Sequence, residues 1–268
     1  MKLVKLNPVT SGTRHQINIQ KNLLAKTNKL VKNSISGLKH QSGRSSSNGR
    51  ITVWHKGGGC KSNFREINFS NTFLNGIVVC IMHDPIRNAF ISLNFNLESF
   101  LFYRTLATNS VYTGSLVSCN SQKNELCLGN RTTIQNIPTG SIIHSLSPFN
   151  LKQKTVFARS AGTFCQIIQK SIENCKIRLP SGSVINTSIK SFATLGVVSN
   201  LQHNLISTGK AGRSRLNGIR PTVRGIAMNP VDHPHGGRTN GGRPSVTPWG
   251  IPTKGKPTVL KKNKKNYD

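Results

Sequence analysis

The sequence predicts an all-β chain in which two small barrels stand in tandem between strongly basic arms. Three observations carry this. About a dozen short apolar or alternating runs fall between Ile51 and Val198 and are separated by turn signals. The apolar content is 35%, low for a globular chain, but it is concentrated in that middle stretch, where it can build a core. The formal net charge of +30, from 37 Lys+Arg against 7 Asp+Glu, is loaded onto the two ends.

Residues 1–50 show no sustained strand or helix period. Ser42 to Arg50 (SGRSSSNGR) reads as loop. A short helix is expected at 21–32, with Leu23, Leu24, Leu30 and Val31 on one side. From Ile51 the texture changes, and β-branched and aromatic runs predict strands at 51–54, 64–69, 77–82, 89–95, 99–104 and 115–119. A second group is predicted at 132–137, 141–146, 163–168, 175–179, 184–189 and 194–198. Asn75-Gly76, His83-Asp84-Pro85, Gly129-Asn130, Pro138-Thr139-Gly140 and Pro180-Ser181-Gly182 punctuate them as turns. So many strands exceed one small five-stranded barrel, so two are expected, with a seam near Cys119–Leu128. After Gly196 the strand texture fades. Residues 201–268 hold 10 of the 24 glycines and 7 of the 12 prolines, too little apolar material to order the segment alone. Such a segment is expected to be ordered by what it lies against.

The charge says what that is. Residues 1–65 carry 13 Lys/Arg and no acid, residues 66–200 carry 11 against 5, and residues 201–268 carry 13 against 2, Asp232 and Asp268. Two such ends repel each other unless a polyanion lies between them, and nucleic acid is the leading candidate. The isoelectric point near 10.9 lies above the guide value of about 9 for a nucleic-acid-binding domain. The longest apolar run, Ile77 to Met82, has strand length, so no membrane span is expected. The start, MKLVKLNPVTSGTRH, lacks the apolar stretch of a secretory signal. The six cysteines show no C-x-x-C pair, and His55 with Cys60 has no second ligand pair nearby. Neither a metal nor a cofactor is expected, and scattered thiols fit a reducing compartment.

Three stretches carry chemistry. In Gly49-Arg50-Ile51-Thr52-Val53-Trp54-His55-Lys56-Gly57-Gly58-Gly59-Cys60-Lys61, successive glycines allow backbone N–H groups to approach a phosphate, and Arg50, Lys56 and Lys61 neutralise it. The stretch lacks the glycine spacing of a Walker loop. In Gly209-Lys210-Ala211-Gly212-Arg213-Ser214-Arg215 and Arg220-Pro221-Thr222-Val223-Arg224-Gly225, guanidinium forks suit phosphate oxygens and base edges. The irregular spacing of Arg213, Arg215, Arg220 and Arg224 predicts an extended strand between phosphates, not one helix face. In Met228-Asn229-Pro230-Val231-Asp232-His233-Pro234-His235-Gly236-Gly237-Arg238, three readings compete. They are an Asp232–His233 acid–base pair, a metal site built on His233 and His235, and a rigid polar loop packed into nucleic acid. No nucleophile elbow accompanies the first, and the packed loop is preferred.

At these residues the chain resembles the universal large-ribosomal-subunit protein 2 family. The match is carried by 209–238 (GKAGRSRLNGIRPTVRGIAMNPVDHPHGGR), by GRITVWHKGGGCK at 49–61, and by Ala158-Arg159-Ser160-Ala161-Gly162-Thr163. Thr247-Pro248-Trp249-Gly250 and Thr253-Lys254-Gly255 add to it. The resemblance implies an OB-fold barrel followed by an SH3-like barrel, with long irregular basic N- and C-terminal extensions that penetrate rRNA. The implied division is a basic extension at 1–60, an OB-fold-like barrel at 61–124, an SH3-like barrel at 125–200 and a Gly/Pro/Arg-rich extension at 201–268.

It also implies a non-enzymatic structural constituent of the large ribosomal subunit, supporting subunit association and the architecture around the peptidyl-transferase centre. The implied partners are large-subunit rRNA, neighbouring ribosomal proteins and a small-subunit bridge, with no membrane and no small-molecule substrate. The implied RNA contacts are Arg44, Arg50, His55, Lys56, Gly57, Gly58, Gly59, Lys61, Arg159, Lys210, Arg213, Arg215, Arg220, Arg224, Asn229, Asp232, His233, His235 and Arg238. Of these, His233 would arrange RNA near the peptidyl-transferase centre.

The chain departs from the family pattern at several positions. Cys60 replaces the usual histidine after the triple glycine. Leu216 replaces a tryptophan, which removes a stacking contact. Arg238-Thr239-Asn240 stands where an acid is usual, and residues 66–128 have lost basic residues. The basic tail ends early, at Lys264-Lys265-Asn266-Tyr267-Asp268. Abundant Asn, Ile, Ser and Lys with little Ala read as drift in an AT-rich genome, and family-like sequence begins almost at Met1. A mitochondrial ribosome is therefore expected, with a plastid or an AT-rich bacterium as alternatives.

Overall fold

Alternation of apolar and polar residues builds strands such as β12 (Asn174–Arg178) and β13 (Val184–Ser188), one face of each turning to a core. The computed structural model describes residues 3–20, 22, 24–25, 29–33, 35–39, 42–69, 75–119, 126–147, 157–238 and 243–255. In chain order, β1 (Leu3–Lys5) pairs antiparallel with β2 (Ile17–Ile19). A short helix α1 (Lys29–Asn33) follows, and β3 (Gly37–Lys39) pairs with β4 (Ser62–Phe64). Three-residue strands are too short to leave a periodic signal, which is why the first 50 residues read as irregular. Much of the helix expected at 21–32 lies outside the described residues, and its described part is α1.

The chain divides into two compact units. The first runs over Met1–His40 and Lys61–Arg213, the second over Gln41–Cys60 and Ser214–Lys265. The all-β class holds, and both barrels belong to the first unit. The OB-fold-type sheet is antiparallel, made of β5 (Asn75–Met82), β6 (Ile91–Asn96), β7 (Phe102–Leu106) and β8 (Leu116–Ser118) in the order β7-β6-β5-β8. Ile91 and Leu93 pack with Ile67, Met82, Leu106 and Val198, while Val78, Ile81 and Phe90 form a second cluster with Leu24. A strand buried on both faces has to satisfy its polar side chains internally. On β6, Ser92 Oγ lies 2.8 Å from Thr105 Oγ1, and Asn94 Nδ2 donates to Thr105 Oγ1 at 2.9 Å.

The SH3-type sheet holds β9 (Arg131–Thr133), β10 (Ile142–His144), β11 (Cys165–Lys170), β12 (Asn174–Arg178), β13 (Val184–Ser188) and β14 (Phe192–Leu195). Its order is β13-β12-β11-β10-β14-β9, with every pairing antiparallel. Cys175 and Ile177 on β12 and Ile185 on β13 alternate inward to meet Ile134, Ile143 and Ile167. A polar seam joins the barrels. Thr108 bridges Val198, the Asn109 amide donates to the Val197 carbonyl at 2.7 Å, and Thr108 Oγ1 lies 2.8 Å from His144 Nε2. The expected seam at Cys119–Leu128 falls mostly on residues outside those described.

Several expectations are corrected. Residues 51–54 form a turn, because the Thr52 and Val53 amides both donate to the Gly43 carbonyl and only Ile51 bridges Arg44. The strand expected at 64–69 ends at Phe64, and the run at 132–137 leaves the sheet at Thr133 for a 3-10 turn, Ile134–Asn136. Asn75-Gly76 opens β5 and is not a turn, since Gly76 pairs with both Val117 and Asn96. The arginine-rich segment is not extended throughout. Arg213 and Arg215 lie on α2 (Ala211–Leu216), a single turn and a half that needs no repeating apolar face.

Candidate nucleic-acid interface

In the second unit, two of the chemistry-bearing stretches meet. The Gly57 amide donates to the Gly218 carbonyl at 3.0 Å, the Cys60 amide to the Leu216 carbonyl at 3.0 Å, and the Arg220 amide to the His55 carbonyl at 2.9 Å. Lys56 bridges Ile219. The glycines permit this close approach. Gly59 has φ +84°, and a Cβ there would come within 2.6 Å of the Gly218 nitrogen and 2.8 Å of the Leu216 carbonyl oxygen. The Gly57 amide is thereby used inside the protein and does not face a phosphate. The Gly58 and Gly59 amides have no backbone partner among the described residues.

Cations gather around this pairing. The Arg220 side chain lies along Gly57, its Nη1 3.9 Å from where a Cβ would stand. Arg44 Nη1 donates to the Gly49 carbonyl at 2.9 Å, closing the loop that displays Arg50. Arg50, Lys56, Arg215, Arg220, Arg224 and Arg238 are all exposed. His55 takes φ +57°, an uncommon conformation for a residue with a side chain. Its neighbour Trp54 meets Trp249 edge-on at 6.2 Å between ring centroids, with 56% and 69% of the two side chains exposed. Trp249 is held by a tight turn in which the Gly250 amide donates to the Thr247 carbonyl at 2.9 Å and the Thr247 amide to the Ile251 carbonyl at 2.8 Å. The tryptophan pair was not among the expected contacts. In sequence, each of the two lies in a basic stretch that carries glycine.

The histidine loop folds on itself. The Asp232 and His233 amides both donate to the Asn229 carbonyl, at 3.0 and 3.2 Å, and the Gly236 amide donates to the His233 carbonyl at 2.8 Å. His233 is buried with its ring against Gly225. Its Nδ1 accepts the His235 amide at 3.0 Å, so that atom carries no N–H to donate to the carboxylate of Asp232, a residue that is exposed. The paired-acid reading of Asp232 and His233 therefore lacks its geometry. The two imidazoles stand 4.8 Å apart, and His235 Nε2 lies 3.0 Å from the Pro244 carbonyl oxygen. Arg243 Nη1 donates to the Pro234 carbonyl at 2.8 Å and ties down the far side of the loop; sequence reasoning gave it no role. Among the described residues, no cluster of three or more His, Cys, Asp or Glu is placed to hold a metal.

In the first unit, the expected contacts are spread out. Arg213 Nη1 donates to the Thr208 carbonyl at 3.2 Å, and Lys210 passes over Gly12. Ile17 bridges Ser207, so the segment before α2 is joined to β2. The Arg159 guanidinium stands 5.5 Å over the Phe69 ring and remains exposed, as does Lys61. Two buried arginines, Arg65 and Arg131, went unforeseen. Arg131, on β9, donates to the Ser145 carbonyl at 3.1 Å and to Thr194 Oγ1 at 3.3 Å, and burial lowers its pKa to about 10. In sequence it is one basic residue among many.

Comparison with known proteins finds two family models along the chain. Residues 31–119 match the family model described as Ribosomal Proteins L2, RNA binding N-terminal domain. Residues 127–250 match Ribosomal Proteins L2, C-terminal domain. The chain is 43% identical over 269 residues to Large ribosomal subunit protein uL2m of Reclinomonas americana, a match spanning 98% of this chain and 95% of that protein. It is 44% identical over 266 residues to Large ribosomal subunit protein uL2 of Wolbachia pipientis subsp. Culex pipiens (strain wPip), spanning 96% and 94%.

Proposed function

Because this chain belongs to the Ribosomal Proteins L2 family, we propose that it is a structural protein of the large ribosomal subunit that binds large-subunit rRNA. The observation that supports this best is the pairing of Gly57–Cys60 with Leu216–Arg220, which sets Arg220 against bare glycine backbone. A phosphate there meets a guanidinium fork with no side chain in the way. Around it, Arg44, Arg50, His55, Lys56 and Arg215 supply counter-charge or donors, and Trp54 with Trp249 offers ring faces for unpaired bases. Arg224 and Arg238 flank the folded loop Asn229–His235, in which His233 is a packed positioning residue. Lys61, Arg159, Lys210 and Arg213 make further phosphate contacts from the first unit.

In this reading, the extensions at 1–60 and 201–268 order against RNA, while the barrels at 61–124 and 125–200 set orientation. The protein supports subunit association and the architecture around the peptidyl-transferase centre, and the chemistry there belongs to RNA. Its compositional drift supports a mitochondrial ribosome as its location. Arg220→Ala in the full chain tests the placement. Affinity for large-subunit rRNA should fall at least about fivefold, and the slope of log affinity against log salt should shrink by about one. An unchanged affinity and slope would remove Arg220 from the interface.

A further inference from the structure

The OB-fold sheet carries an apolar row that nothing in the rRNA reading uses. Phe102 on β7 pairs with Phe95 on β6, Phe95 pairs with Ile77 on β5, and Ile77 pairs with Leu116 on β8. Residues directly opposite in register share a face, so these four side chains form one line across the whole sheet. Neighbouring strands lie about 4.8 Å apart, which makes the row about 14 Å long. Phe102 is 52% exposed and Leu116 67%. At the β6–β7 turn, Phe100 and Leu101 extend the patch, 73% and 68% exposed.

Phe100 is held there deliberately. Its φ is +55°, rare for a bulky side chain, and its amide donates to the Asn96 carbonyl at 3.1 Å. Its ring sits 6.1 Å from Phe95, which in turn sits 5.2 Å from Phe102. A continuous apolar patch on an ordered hairpin is the kind of surface that marks an interaction site.

The charge decides what covers it. Residues 66–119 contain two basic side chains, Arg87 and Arg104, and three acids, Glu66, Asp84 and Glu98, in a chain of net charge +30. Arg87 is already bonded to Asp84 at 2.8 Å. Sites that stack nucleic-acid bases on aromatic rings also need a basic groove for the phosphates, and Arg104, two residues from Phe102 on β7, is a single cation and does not make one. Glu98, exposed at the hairpin tip, would repel them. We propose that the row Phe102–Phe95–Ile77–Leu116, with the Phe100–Leu101 tip, is the docking surface for a neighbouring protein of the large subunit. The partner presents apolar side chains to the row and a basic side chain to Glu98. The inference rests on the ribosomal reading above.

Two measurements on the full chain in purified large subunits test it. With the photo-reactive residue p-benzoylphenylalanine at position 100, illumination should join the chain to one particular subunit protein. A crosslink to rRNA, to a second copy of this chain, or to nothing would overturn the proposal. In the double variant Phe100→Ser with Leu101→Ser, both solvent-exposed positions, binding to rRNA should stay within twofold. The same subunit protein should fall at least threefold in the purified particles. Retention of that protein, or a large loss of rRNA affinity, would overturn it. Sedimentation of the unsubstituted chain is the separate control. Its absence from large subunits would reject the ribosomal reading itself, and with it the partner named here.

Discussion

His144 sits in the seam between the barrels, its Nε2 2.8 Å from Thr108 Oγ1 and its Nδ1 3.0 Å from Ser145 Oγ. Burial, reinforced by the Arg131 charge, pushes its pKa down to about 3 from the ordinary 6.5. The unfolded chain takes up a proton near pH 6.5, while the folded chain refuses it until about pH 3. The stability this gives is whole above pH 6.5 and is lost as pH falls through that window. Urea unfolding of the full chain should therefore weaken by about 2–3 kcal/mol between pH 7.5 and 4.5. His144→Gln, which keeps a polar side chain, should flatten that dependence; an equal slope in the variant would place the titrating group elsewhere. Nothing in the sequence marks His144 apart from the other seven histidines, because its environment comes from strands distant in the chain. Gly57–Gly59 and Arg220 stood out locally, yet only folding shows that the Gly57 amide is bonded inside the protein.

At the level of elements, the SH3-type strands were the most legible. Alternation at β12 and β13 sends Cys175, Ile177 and Ile185 inward, as their period requires. The elements missed are short or made by distant pairing: β1 with β2, β3 with β4, and the glycine segment with Leu216–Arg220. Each gains its order from a partner and not from its own residues. Gly59→Ala probes the last of these. A side chain at φ +84°, colliding with Gly218, should cost about 1–3 kcal/mol of local stability. Amide exchange at Gly57 and Cys60 should quicken at least about tenfold, with the β11–β12 amides unaffected. Unchanged exchange at Gly57 and Cys60 would mean that the segment does not depend on that pairing.

Over the whole molecule, the charge distribution dominates. Net +30 with 13 basic residues and no acid in the first 65 positions makes rRNA binding an ion-exchange process. The dissociation constant of the full chain for large-subunit rRNA should rise at least about a thousandfold between 50 and 200 mM monovalent salt. A change below tenfold would show that few phosphates are neutralised. The sequence by itself determined the all-β class, the polyanionic partner and the family. Strand alternation, net charge and the motifs at 49–61 and 209–238 are properties of neighbouring residues, written in order along the chain. Tertiary structure alone decided which of those residues meet. It set Gly59 against Gly218, turned His233 inward against Gly225, and aligned Phe102, Phe95, Ile77 and Leu116 into one row, half-buried at its centre and exposed at both ends. Those contacts depend on strand register and backbone approach between segments far apart in sequence, and no local pattern encodes them.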